Sequence, residues 1–309
     1  MKRILFFLAV FTQLNETVAQ QFHSSWSYVA FPQHSRTSFH ESVETLDPLT
    51  VNIPTAKTHR ERYALIIGNE VYDQYRLGLP RVAYAVRDAR AFREFARRFW
   101  GVPEENIFYL ENATAGLMQS YVERLSLILR TAPANAEVYF YFSGHGLQSA
   151  SDKSFLPAAV DNDPLNSGNG NDFRDMMDKI SCSGKLSVFA FTDACFSGRT
   201  RDGATTLAAR GIRYEPVKGS LPERVVLFAA AKENQFAFSW NEKQHGLFTA
   251  VLLEKLRNSP SGTSWNDVVN TVKPEVMEKA ARMHFAAQEP VLTGSPAALQ
   301  HFKQRTISK

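Results

Sequence analysis

Continuous apolar runs alternate with segments of helical period along the middle of this chain. Tyr63 to Gly68 (YALIIG) is apolar throughout and stops at a glycine, as a strand buried on both faces does. Val82 to Trp100 then spaces Ala85, Ala89, Phe92, Phe95, Ala96 and Phe99 at helical intervals, and Gly101-Val102-Pro103 ends the pattern. Short strands are predicted at Ile107 to Leu110 and Glu137 to Phe142, with a helix from Thr114 to Arg130 between them. Lys185 to Thr192 and Val225 to Ala231 read as further strands, and Phe173 to Ile180, Gly246 to Leu256 and Trp265 to Met283 as helices. Strands alternating with helices predict an α/β fold whose mostly parallel sheet is covered on both faces. In such sheets ligands bind at the carboxyl ends of the strands.

The flanks lack this pattern. Lys2 and Arg3, the apolar run Ile4 to Phe11 and the small residues Thr17-Val18-Ala19 have the order of a secretory signal peptide over residues 1–19, so an exported protein is expected. The run is too short for a spanning helix, and no later segment approaches the required length, so no stable membrane anchor is expected. Residues 20–60 are rich in Ser, His, Thr and Pro and read as an N-terminal extension or linker. The globular domain is placed at 61–295, with a C-terminal tail at 296–309. At 309 residues and 44% hydrophobic, the chain can bury a full core. The net charge of +4 is spread along the chain rather than gathered in a Lys/Arg block, which speaks against nucleic-acid binding. Two cysteines, Cys182 and Cys195, are separated by a predicted strand, too far for a disulfide, and no zinc-ligand spacing is present.

Candidate chemistry sits in two small-residue turns that follow predicted strands, YFSGHG (Tyr141 to Gly146) and TDACFSG (Thr192 to Gly198). Taken singly, His145 reads equally well as a loop histidine, and Cys195 reads more readily as an inert buried thiol than as a nucleophile. Together they offer the two groups that thiol catalysis needs, at adjacent strand ends.

These runs, with ALIIGNEVY (Ala64 to Tyr72), LFAAAKENQFAFS (Leu227 to Ser239) and HGLFTAVLLEKL (His245 to Leu256), resemble the caspase-like cysteine peptidases, in particular the branch of metacaspases, paracaspases and bacterial caspase homologues. The resemblance runs from Tyr63 to Leu292. It implies a three-layer α/β/α sandwich and a catalytic dyad of His145 and Cys195 that attacks peptide bonds of a protein or peptide substrate without a cofactor. It also implies an oxyanion held by the backbone N–H groups of Gly146 and Cys195. Members of this branch cut after Arg or Lys through an acidic pocket. Asp193, two residues before the cysteine, and Asp88, in the first helix, stand at the corresponding positions, so cleavage after a basic side chain is expected. For Asp88 the competing reading is a solvated helix residue beside Arg87 and Arg90. Ser239 stands where many relatives carry a glutamate, and Asp161 matches a segment read as loop structure. The basic loop from Arg199 to Glu223 is a candidate for self-processing. Calcium activation and oligomeric state do not follow from the residues. The alternative class is a catalytically silent caspase-fold protein that binds partners.

Overall fold

The computed structural model describes residues 46–75, 77–149, 154–164, 171–195, 221–232 and 235–307. Asp47–Lys309 forms one compact unit; of the other, Met1–Leu46, only Leu46 is described. The expected signal peptide and most of the Arg199 to Glu223 loop therefore lie outside the described residues.

The central sheet has the strand order β2-β1-β3-β5-β6-β9, with β4 paired to β3. Its members are β1 (Arg62–Gly68), β2 (Ile107–Glu111), β3 (Glu137–Gln148), β4 (Phe155–Pro157), β5 (Ser187–Cys195), β6 (Val225–Ala229) and β9 (Val291–Gly294). Strands β2, β1, β3, β5 and β6 run parallel, whereas β9 on β6 and β4 on β3 are antiparallel. A two-residue hairpin, β7 (Ser239–Trp240) with β8 (His245–Gly246), stands apart from this sheet.

Alternation along the strands sorts the core into two layers. Ala64, Ile66, Tyr139, Tyr141, Phe189, Phe191 and Phe228 face α1 (Ala85–Arg98), α4 (Leu247–Asn258), α5 (Trp265–His284) and α6 (Pro296–Gln304). Leu65, Ile67, Val138, Phe140, Val188 and Leu227 face α2 (Ala115–Leu129) and α3 (Phe173–Ile180). The result is a mostly parallel sheet between two helical layers. Helix α1 comes unusually close to β1, because a Cβ on Gly68 would lie 2.7 Å from both the Ala85 carbonyl and the Ala89 methyl.

Segments on both sides of residues 61–295 pack against the folded unit. Residues 47–60 pack on it through Leu49 and Ile53, each 2% exposed. They are clamped by the Arg98 guanidinium, which donates to the Thr50 and Ile53 carbonyls. The expected tail is α6, started by the Ser295 cap and Pro296 and docked through Ala298 and Phe302. Asp161 accepts from the N–H of Ala115, the first residue of α2, and so caps that helix.

Candidate active site

Strands β3 and β5 lie side by side in register, pairing Ser143 with Asp193, Gly144 with Ala194 and His145 with Cys195. The small-residue motifs predict the histidine and the cysteine in turns beyond their strands. Instead β3 continues through Ser143-Gly144-His145-Gly146 to Gln148, and Cys195 is the last residue of β5. The extra length of β3 is supported by β4, which pairs Gly146 with Pro157 and Gln148 with Phe155 after the parallel neighbours have ended. Cross-strand pairing, rather than turn geometry, therefore brings positions 145 and 195 together, at about the strand spacing of 5 Å.

His145 is held from several sides and is 2% exposed. Its backbone N–H donates to the Tyr72 hydroxyl at 3.0 Å, and that hydroxyl donates to the Ala158 carbonyl at 2.9 Å. The Ala158 N–H returns a bond to the His145 carbonyl, and Asn69 Nδ2 also donates to Ala158 O. The imidazole meets the Tyr72 ring edge-on, with centroids 4.7 Å apart. Gly144 makes this packing possible, since a Cβ there would lie 2.5 Å from the tyrosine oxygen and 3.0 Å from the Asn69 carbonyl. Nε2 of His145 sits 2.7 Å from the Pro80 carbonyl. A carbonyl can only accept, so the proton is on Nε2, and Nδ1 is left as the basic nitrogen of the neutral ring.

Asp88 and Asp193 lie on the same face of the sheet as His145, and both are fully buried. Asp88 is thus not a solvated helix residue. Its carboxylate accepts from Ser143 Oγ at 3.0 Å, from the Gly246 N–H at 2.9 and 3.2 Å and from His245 Nδ1 at 2.8 Å. Asp193 Oδ2 accepts from the Thr249 N–H at 3.1 Å and hydroxyl at 2.7 Å, and Tyr141 contacts that hydroxyl at 2.7 Å. Gly246 is the N-cap of α4 and Thr249 lies in its first turn, so the two carboxylates serve N–H groups that no helix residue can satisfy. Asp193→Ala leaves the Thr249 donors buried without that acceptor and is expected to cost about 2–3 kcal/mol in urea unfolding. Asp193→Asn keeps an acceptor and is expected to recover most of that stability, so the asparagine variant separates fold from charge. Equal stability of the alanine variant and the wild type would refute the capping role.

A further buried group joins them: His245, the first residue of the HGLFT run, which no motif marks as a site residue. Its side chain is fully buried, with Nδ1 on Asp88 and Nε2 3.2 and 3.0 Å from the two Asp47 carboxylate oxygens. Arg87 Nε approaches the same nitrogen at 3.4 Å and Asp47 Oδ2 at 3.5 Å. Nε2 cannot both accept from Arg87 and donate to Asp47. The shorter, charge-paired contact decides for donation, and Asp47 then bridges two cations. Burial works to lower the His245 pKa, but the two carboxylates more than offset it and push the ring up to about 9. Burial likewise works to raise Asp47, yet His245, the Leu49 N–H and Arg87 hold its carboxyl below the usual range. No residue pattern marks His245 in advance: its partners lie 157 and 198 positions away in sequence.

Cys182 is a half-buried free thiol in the turns between α3 and β5. A cavity of about 480 Å³ lined by Gln119, Asn171, Asp172, Asp175 and Lys179 lies between α2 and α3, on the face of the sheet opposite Asp88 and Asp193. Among the described residues, no three His, Cys, Asp or Glu side chains group as metal ligands, and no helix is long and apolar enough to cross a membrane.

Two solved structures share this architecture. Caspase-1 from Spodoptera frugiperda is 15% identical, with 77% of this chain and 88% of that one covered at a TM-score of 0.51. A protein from Geobacter sulfurreducens is 18% identical, with 80% and 98% covered at a TM-score of 0.55. No curated relative matches the sequence. The caspase-domain family model matches residues 61–300, a span that contains β1 to β9 and both paired positions, 145 and 195. The chain therefore belongs to the caspase-domain family of cysteine peptidases.

Proposed function

We propose that the protein is a cysteine endopeptidase that cuts after Arg or Lys, with Cys195 as nucleophile and His145 as its acid and base. The observation that carries this reading is the His145–Cys195 register pair, with the histidine Nε2 proton committed to Pro80. In the proposed reaction Nδ1 takes the thiol proton, and the thiolate attacks the peptide carbonyl carbon. A C–S bond forms, and the carbonyl π pair moves onto oxygen, where the N–H groups of Gly146 and Cys195 receive it. Collapse breaks the C–N bond, the imidazolium protonates the departing amine, and water then hydrolyses the thioester with His145 as base. Nothing in this sequence calls for a cofactor.

The preference for a basic side chain is supported by charge. Asp88 and Asp193 flank Ser143 beside the paired residues and are fully buried, where a guanidinium or ammonium group is a better partner than a carboxylate. The test uses the full chain with fluorogenic peptides that differ only at the cleaved residue. Arg and Lys peptides are expected to exceed the Asp peptide in kcat/KM by about a hundredfold or more, the scale of a mispaired buried charge. Preference for Asp, or equal rates throughout, would sink the pocket assignment. No turnover of any peptide would favour the catalytically silent binding protein.

A further inference from the structure

We propose that Asp47 and His245 are positioning residues that fix the orientation and charge of Asp88, so that a segment preceding the caspase-domain match sets how strongly the pocket prefers a cation. The inference rests on the reading of Asp88 as a pocket acid. Asp47 lies outside residues 61–300, yet its carboxylate reaches the imidazole whose other nitrogen holds Asp88. The contact is anchored. Leu49 and Ile53 are buried in the core, Arg98 grips the Thr50 and Ile53 carbonyls, and Arg257 Nη1 donates to the carbonyls of Pro48 at 2.6 Å and Leu49 at 3.3 Å. The Ala56 N–H closes the strap on the Arg98 carbonyl at 2.7 Å.

An imidazole between two carboxylates must donate at both nitrogens, which makes it a cation while both acids are ionised. Among the described residues, the charged groups that contact it are Asp88 and Arg87 from α1 and Asp47 from the segment before β1, while the paired strand β7 consists of Ser239 and Trp240. With His245 protonated, Asp47 offsets its charge and leaves the negative charge of Asp88 effective toward a substrate. Without Asp47, the imidazolium cancels Asp88 until the ring loses its proton.

The experiment compares the full-length wild type with Asp47→Asn, which keeps an acceptor for Nε2 and removes the charge. The readout is the ratio of kcat/KM for a peptide with arginine at the cleaved position to that for the same peptide with citrulline, its uncharged isostere. In the wild type the ratio is expected to stay level from about pH 6 to about pH 8, below the His245 titration. In Asp47→Asn it is expected to fall about five- to tenfold at the acid end, the scale of one screened charge at this range, and to recover as pH rises. Asp47→Glu is expected to restore the wild-type ratio. Histidine NMR of the Cys195→Ala background gives a readout without turnover: the Asp47→Asn change is expected to move the His245 midpoint down by about one unit or more, the worth of one lost ion-pair partner.

A strap with only a structural role would slow both peptides alike. An unchanged ratio or an unchanged midpoint in Asp47→Asn would therefore overturn the inference while leaving the pocket standing. A wild type that does not distinguish arginine from citrulline, or cleaves neither, would remove the pocket reading and this inference with it.

Discussion

Cys195→Ala is expected to lower turnover of an Arg peptide by about a thousandfold or more, to the level of a protein without its nucleophile. The substitution deletes a single sulfur, so the free energy of unfolding is expected to stay within about 1 kcal/mol of wild type. His145→Ala is expected to be as silent, because attack requires both groups and the losses do not add. It differs in stability. The imidazole fills space against Tyr72 and holds the Pro80 carbonyl, so its removal is expected to cost about 1–3 kcal/mol. The same proteins test self-processing: wild type incubated alone should yield fragments by gel and mass spectrometry, with a cut after a basic residue between 199 and 223, and Cys195→Ala should remain whole. Residual turnover in Cys195→Ala within tenfold of wild type would mean that the nucleophile lies elsewhere. Identical fragments in both proteins would end the self-processing idea.

Much of the fold could be read in advance because its strands are buried on both faces. A run such as YALIIG has no polar residue to hide, and α1 shows its helical period through Ala89, Phe92 and Phe95, all fully buried. Short and peripheral elements carried no such signal. Strands β7 and β8 have two residues each, and β9 is a half-buried four-residue edge. Helix α6 did have signals, Ser295 before Pro296 and the i, i+4 pair Ala298 and Phe302, but they are brief and follow an irregular stretch.

The site was legible as residue types and not as geometry. Small residues at 143, 144 and 146 suit a turn, but here Gly144 lets a strand pass beneath Tyr72 and Asn69, a requirement imposed by β1 and the loop after it. The resemblance marks the carboxylates at 88 and 193 as substrate groups, with a solvated helix residue as the competing reading for Asp88, whereas in the structure both are buried and serve N–H groups at the start of α4. Asp47 and His245 stayed hidden for a related reason. An aspartate in a polar segment and a histidine after a lysine-glutamine turn gain meaning only when α1 brings Asp88 and Arg87 against both.

Removing Asp88 should unsettle the fold more than any other single change near the site. Asp88→Ala strips the buried His245 imidazolium of one of its two carboxylates and leaves the Gly246 N–H and the Ser143 hydroxyl without that acceptor. Breaking a buried ion pair from one side costs about 3–5 kcal/mol, a large share of the stability of an ordinary domain. The pH dependence gives a signature that lost packing cannot imitate. The His245 pKa is raised on folding from an ordinary value near 6.5 to about 9, so its contribution is fully present below pH 6.5 and disappears as pH rises through 9. Wild-type stability is therefore expected to fall by about 3 kcal/mol across that window. Asp88→Ala should be less stable at the acid end and lose less on going to pH 9, because part of the stabilisation that titrates is already absent. Urea unfolding at three pH values across the window reads both effects, and Asp88→Asn serves as the variant most able to fold. A flat wild-type curve between those pH values, or an Asp88→Ala protein within about 1 kcal/mol of wild type, would show that His245 is not held as a buried cation by this carboxylate.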